Sequence, residues 1–309
     1  MAQKVIIVAD PGIDTAVAIA LALNDPDLEV LALAASAGNV SADRATKNAH
    51  IIVEQIDPPR WPRLGSALPH EYDGSGTDLN GSDGLGGFDF PCVQLHHSHP
   101  SDKLIADTLR QHPGEVAVLV IGPCTVLART LDRDPDLARM IQRLVIVGGA
   151  VTEPGDVTAV AEFHFWCDPA SARQVLRCSA PITLLPLDAT HKLVFSPTDC
   201  AKFGEAGTRT GDFLGKILPT LISPTASRFG IEGVYLADAL AVVALARPVA
   251  VAAHGAAVDV ETRGELTRGA SVVDRRWGTT ARPMVDLASD VDLRVAKQYI
   301  QGILSAPLA

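Results

Sequence analysis

Cysteine is scarce and irregular. Cys92, Cys124, Cys167, Cys178 and Cys200 make an odd set with no C-x-x-C pair. That spacing signals neither a zinc site nor a disulfide framework, so buried, reduced thiols of a cytoplasmic protein are expected. A basic stripe is also missing. Lys and Arg number 26 against 36 Asp and Glu, a formal net charge of -10. Nucleic acid and anionic membrane surfaces are therefore unsuited partners. Plain solubility explains the charge, although some of the acids could gather at a cation site. No apolar run is long enough to span a bilayer: Asp238, Arg247, Pro248 and His254 interrupt the longest, 237–258. The apolar start meets Asp10 too soon for a signal peptide. No G-x-G-x-x-G follows the first apolar run, and neither a G-x-S-x-G elbow nor a P-loop occurs, which argues against a nicotinamide enzyme despite Gly148-Gly149. Repeats, low-complexity tracts and linkers are absent. The 309 residues are read as a single domain, 1–309, a length that α/β folds accommodate.

What is present is a rhythm. Val5 to Ala9 and Val30 to Ala35 are short, wholly apolar runs, the pattern of strands buried on both faces of a parallel sheet. Asp10-Pro11-Gly12 breaks the first, and Thr15 to Leu23 reads as a helix with Asp14 placed to cap it. Ala42 to Gln55 reads as a second helix. Val116 to Ile121, Leu144 to Val147 and Ile182 to Leu185 repeat the strand pattern, and a helix is expected from after Pro123 to Leu131. Asp238 to Ala246 has apolar residues all round, as a buried helix does, and Asp290 to Leu304 is expected as a closing helix. The alternation predicts an α/β fold with a mostly parallel central sheet flanked by helices. Tyr72 to Gly87, rich in glycine, is a candidate binding-loop lid, and Ala150 to Asp168 shows no regular pattern.

Ligands of parallel α/β sheets bind beyond the carboxyl ends of the strands. Asp10, Asp14 and Thr15 follow the first strand, and Ser36, Gly38 and Asn39 the second. Cys124 and Thr125 follow the strand ending at Ile121, and Asp156, Glu162 and His164 follow Val147. Asp238 opens the late buried helix, where an unpaired charge would be expensive. Carboxylates gathered on one rim repel unless protonated, paired or bound to a cation, and oxygen donors suit Ca²⁺ or Mg²⁺ rather than zinc.

At these positions the sequence resembles the inosine-uridine preferring nucleoside hydrolases. The resemblance is carried by Asp10-Pro11-Gly12-Ile13-Asp14, Gly38-Asn39, Gly122-Pro123-Cys124-Thr125, Gly148-Gly149-Ala150 and Ala161-Glu162-Phe163. It continues through Asp168-Pro169-Ala170, Asp188-Ala189-Thr190-His191-Lys192, Asp238 and Gly264 to Gly269, so it covers nearly the whole chain. It implies hydrolysis of the N-glycosidic bond of a ribonucleoside to ribose and free base, and a nucleoside-hydrolase-like fold. Asp10 would be general base and metal ligand, with Thr15, Thr125 (through its carbonyl) and Asp238 completing a Ca²⁺ site. Asp14, Asn39, Asp156, Glu162 and His164 would hold the sugar. A homodimer or homotetramer is implied as well.

The chain departs from that family at several of these places. Thr15 stands where a second calcium-binding acid is usual, and Val8 where another Asp is common. Asp156 and His164 replace asparagines of the sugar site, Val126 replaces a common Asn, and Ala237 and Asn80 stand where histidines are often found. Fewer carboxylates should weaken Ca²⁺ binding or abolish it. Three activities are consistent with these changes: hydrolysis of a nucleoside whose base needs little protonation, nucleoside or ribosyl binding without turnover, and hydrolysis of another ribosyl-like substrate. A phosphohydrolase with Asp10 as nucleophile would need a basic phosphate ligand near the strand ends, and none is well placed. A pure interaction module would give Asp10, Glu162 and Asp238 no reason to converge. Leu95 to His99 reads as a solvated loop, His191 as structural, and Trp166 as a core residue able to stack on a base, while the resemblance implies that Arg228, Phe229 and Tyr235 lie in the segment flanking the base pocket.

Overall fold

The computed structural model describes residues 2–70, 78–92, 99–276 and 284–306. Its strands are β1 Gln3–Ala9, β2 Leu28–Ala35, β3 Arg63–Ser66, β4 His99–Pro100, β5 Val116–Ile121, β6 Ile141–Val147, β7 Ile182–Leu185, β8 Val194–Phe195, β9 Val234–Tyr235, β10 Val251–Val260, β11 Ser271–Asp274 and β12 Met284–Val291. Ten of them form one sheet in the order β11-β10-β12-β7-β6-β5-β1-β2-β3-β4, while β8 and β9 pair separately. All pairs from β4 through β1 to β7 and on to β12 are parallel. β10 runs antiparallel to both of its neighbours. The fold is the expected α/β architecture with a mostly parallel sheet flanked by helices.

The apolar runs become strands because both faces of the sheet are covered. Along β1, Val5, Ile7 and Ala9 enter one buried cluster while Ile6 and Val8 enter the other. The period-2 alternation of a strand therefore sends every residue of a continuous apolar run into a core. Val8 is one of these core residues and has no part in a polar site. On one side, the helices Ile13–Asn24 and Ala237–Ala246 pack against each other. Neither has a polar stripe, because further helices cover them in turn.

Several expected boundaries move. The closing helix spans Leu293–Leu304 with Asp292 as its cap, because Asp290 still belongs to β12. Within the patternless 150–168 stretch, Phe163–Cys167 forms one short helix. His99 sits in β4, paired with Gly65 of β3, so the expected solvated loop does not extend to it. His96 and His97 lie outside the described residues, as do 71–77 of the glycine-rich segment.

Candidate active site

The rim of the sheet gathers side chains in the order the topology dictates. Asp10 directly follows β1, between the ends of β2 and β5, and is fully buried. The loop after β2 closes onto it. The Asn39 backbone N–H donates to Asp10 Oδ2 at 3.0 Å, and Asn39 Nδ2 donates to the Asp10 carbonyl at 3.1 Å. Glycine is required at this approach: a Cβ on Gly38 would overlap Asp10 Oδ2, and one on Gly122 would lie 2.7 Å from the Asp10 amide nitrogen.

The helix Ile13–Asn24 starts two residues before the expected Thr15, and Asp14 does not cap it. Asn80 does so from the short 3₁₀ helix Asp78–Asn80, its Oδ1 accepting the Ile13 N–H at 2.8 Å while its Nδ2 donates to Asn39 Oδ1 at 3.2 Å. Asp14 instead accepts the backbone N–H of Asp238 at 3.0 Å, so it caps the neighbouring buried helix, whose first N–H groups lack intrahelical partners. Thr15 ties the same two helices together, its hydroxyl donating to Asp238 Oδ2 at 2.6 Å.

Glu162 and His164 arrive from the short helix after β6. Glu162 caps that helix, accepting from the N–H groups of His164 at 2.9 Å and Phe165 at 3.1 Å, and from Gly149 at 2.9 Å. His164 Nδ1 lies 3.2 Å from the Val147 carbonyl, which can only accept, so Nδ1 carries hydrogen. Its Nε2 lies 3.6 Å from Asp10 Oδ1, too far for a hydrogen bond but near enough for the carboxylate charge to act on the ring. Burial alone would lower the His164 pKa, but the carboxylates of Glu162 and Asp10 override it and hold the imidazole well above the ordinary histidine range.

One cavity exposes Asp14, Thr15, Asn39, Asp156, Glu162, His164 and Asp238 together, along with Asn80 and Ala237. Of the residues expected in the site, Asp10 and Thr125 are not part of its lining. Asp10 lies one side chain deeper, in contact with the His164 ring. Thr125 opens the helix Thr125–Arg133 and donates its hydroxyl to Asp168 Oδ2 at 2.7 Å. The acids crowd one another. Burial, then the Asp238 charge, holds Asp14 well above the usual carboxylate range. Burial pushes Asp238 up to about 7, against the opposing pull of His164. Burial and then Glu162 push Asp156 up to about 7. Oδ1 of Asp10, of Asp14 and of Asp156 are all buried without a hydrogen-bond partner. Unpaired acceptors of this kind are costly and await a donor.

The far end of the cavity is aromatic. His191 stacks on Tyr235 with ring centroids 4.2 Å apart, and Phe229 meets Tyr235 edge-on at 5.4 Å. All three line the cavity, His191 among them although its motif reads as structural. Leu79, Thr190, Leu221 and Thr225 also line it. They come from three separate segments, Leu221 and Thr225 sharing the helix Pro219–Phe229. Trp166 does not line it. That half-buried ring lies beneath the Arg268 guanidinium, 5.5 Å from its centroid.

The implied calcium ion does not fit this donor set. Thr15 supplies a neutral hydroxyl that is already donating to Asp238, and the free oxygen of Asp10 faces an imidazole. Among the described residues no group of three His, Cys, Asp or Glu is arranged to hold a metal.

A parallel sheet whose carboxyl rim opens into a carboxylate-lined cavity with an aromatic end defines an α/β protein for a hydroxyl-rich ligand carrying a flat ring. The inosine-uridine preferring nucleoside hydrolase family model matches residues 5–298, and the chain belongs to that family. It is similar to a non-specific ribonucleoside hydrolase of Escherichia coli, 34% identical over 96% of each chain. It is also similar to uridine nucleosidase 1 of Arabidopsis thaliana, 30% identical over 99% of this chain and 94% of that protein. Among solved structures, a plant nucleoside hydrolase superposes with a TM-score of 0.89 at 27% identity, covering 99% of this chain and 100% of that one. The family's activity is cleavage of the N-glycosidic bond of ribonucleosides.

Proposed function

We propose that this chain hydrolyses a ribonucleoside whose base leaves without full protonation, in the cavity at the rim of β1. The observation that carries this reading is the pair of unpartnered carboxylate oxygens, Asp10 Oδ1 and Asp14 Oδ1, beside a cavity that is acidic at one end and aromatic at the other. Ribose hydroxyls can donate to Asp14, Asp156 and Glu162 and bond to Asn39 and His164. The base then lies toward Tyr235, Phe229 and His191.

When the C1′–N bond breaks, its electron pair leaves with the base and positive charge grows on the sugar. Asp14, Glu162 and Asp238 stabilise that charge inside a site where water screens it poorly. A water oxygen bonds to C1′ and its proton passes to a carboxylate. The resemblance assigns that role to Asp10. Of the two aspartates, Asp238 has the better access because it lines the cavity, and its pKa near 7 suits a general base. At the aromatic end, burial lowers the His191 pKa, so its neutral ring can hydrogen-bond a departing base but donates a proton poorly. Asn80 supplies no proton, since a neutral amide can donate a hydrogen bond but is not an acid.

That lack of an acid favours one second reading, nucleoside binding without turnover. Assembly as a homodimer or homotetramer is carried over from the resemblance alone, and a cytoplasmic location rests on the five irregularly spaced cysteines. Among the described residues no helix is long and apolar enough to cross a membrane. The test is release of reducing sugar from a panel of purine and pyrimidine ribonucleosides, read beside calorimetric binding. Sugar release supports the proposal. Binding without release selects the second reading, and neither signal from any member overturns both.

A further inference from the structure

We propose that the carboxylate pocket of this chain is closed to calcium and magnesium, because the Thr15 hydroxyl already takes an Asp238 oxygen and the His164 ring stands against the free oxygen of Asp10 on which such an ion would sit. Ca²⁺ asks for roughly six to eight oxygen donors at about 2.3–2.6 Å, and Mg²⁺ for a near-octahedral set at about 2.0–2.1 Å. The oxygens here are largely spent. Asp238 Oδ2 takes the Thr15 hydroxyl at 2.6 Å, Asp14 Oδ2 takes the Asp238 N–H at 3.0 Å, and Asp10 Oδ2 takes the Asn39 N–H at 3.0 Å. Glu162 spends both oxygens on three backbone N–H groups.

Asp14 Oδ1 and Asp10 Oδ1 remain without a partner, and His164 Nε2 lies 3.6 Å from the Asp10 oxygen. An ion bound to that oxygen would press against the imidazole, a poor partner for a hard cation. The ring has little room to withdraw. It is buried, it is anchored through Nδ1 to the Val147 carbonyl at 3.2 Å, and Phe163 packs beside it with centroids 5.6 Å apart. Thr15 and His164 thus act together, one removing a ligand charge and the other filling the approach to the acid that remains. The inference concerns ion binding alone and stands or falls separately from nucleoside hydrolysis.

The experiment loads purified protein with CaCl₂ or MgCl₂, dialyses it, and measures ion content and melting temperature against an EDTA-treated sample. The double variant Thr15→Asp, His164→Asn and the single variant Thr15→Asp are taken through the same steps. A ligand present far above its Kd raises the melting temperature of the form it binds. The wild-type protein is expected to keep well below one ion per chain and to melt at the same temperature with and without the ion. The double variant is expected to keep about one Ca²⁺ and to melt higher with it, and the single variant to fall between. One retained ion per wild-type chain overturns the proposal. A folded double variant that stays ion-free overturns it as well, since other groups would then be closing the site.

Discussion

The Thr15 hydroxyl donates to Asp238 Oδ2 at 2.6 Å, joining the first turns of two buried helices that lie far apart in sequence. Both partners are buried. Removing the donor leaves a charged acceptor unpaired away from water, at a cost of about 1–3 kcal/mol. Thr15→Val keeps the volume and loses the hydroxyl, so urea unfolding should show a loss of that size, and Thr15→Ser should recover most of it. A Thr15→Val variant within about 0.5 kcal/mol of wild type, inside the scatter of ordinary surface substitutions, would show that the bond adds no stability.

Asp14 presents its unpartnered Oδ1 to the cavity while Oδ2 caps the neighbouring helix. Asp14→Asn preserves an oxygen for the cap and removes the charge. If the acid stabilises the growing charge on the sugar, kcat/KM for nucleoside hydrolysis should fall about 10²–10³-fold, the range found when one preorganised electrostatic partner is deleted. The far-ultraviolet circular dichroism should stay unchanged. Undiminished kcat/KM would remove Asp14 from the mechanism.

Asp238, pushed up to about 7 by burial, makes two pH predictions. As a base it must be ionised, so kcat/KM should rise as pH passes through about 7, and Asp238→Asn should abolish that limb. For stability the sign is the reverse. A carboxyl whose pKa is raised on folding favours the folded state below the unfolded pKa of 3.8, and that advantage is lost as pH climbs toward about 7. The melting temperature of Asp238→Asn relative to wild type should therefore rise between pH 4 and about 7 and level off above. A difference that does not vary with pH would count against the raised pKa.

Gly38 leaves no room for a side chain over Asp10. Gly38→Ala should displace the Asp10 carboxylate and break its bond from the Asn39 N–H, lowering activity at least tenfold even where the variant still folds. A crystal structure of the variant with Asp10 unmoved, or full activity, would contradict this.

Tyr235 and His191 form the stacked wall of the aromatic end. Stacking a base on an aromatic ring is worth about 1–3 kcal/mol. Tyr235→Ala should accordingly raise KM for the preferred nucleoside about tenfold while leaving kcat closer to wild type. A KM unchanged across the nucleoside panel would place the base elsewhere.

The sequence made the sheet readable because a strand covered on both faces must be apolar throughout, as Val5 to Ala9 and Val116 to Ile121 are. It made the acidic end of the cavity readable because ligand residues follow strand ends, which is how Asp14, Asn39, Glu162 and Asp238 were found. Relations between distant segments were not readable. Asp14 looked like the cap of its own helix, and only the packing of Ile13–Asn24 against Ala237–Ala246 turns it toward the Asp238 N–H. Asn80 caps a helix it is not part of, an interaction no local pattern encodes. Asp10 follows its strand as expected, yet the bulk of His164 keeps it out of the cavity lining, a matter of volume and direction. Of the aromatic end, the resemblance pointed to Phe229 and Tyr235 but not to His191, whose stacking on Tyr235 arises only after folding.

The position of β1 in the middle of the parallel strands has a consequence for how tightly Asp10 is held. Its main-chain amides bond to neighbours on both edges. Such protons are released to solvent only when the whole molecule opens. The amides of Ile7 to Ala9 should therefore be among the slowest to take up deuterium, and the acid that follows them inherits the rigidity of the slowest-exchanging part of the molecule.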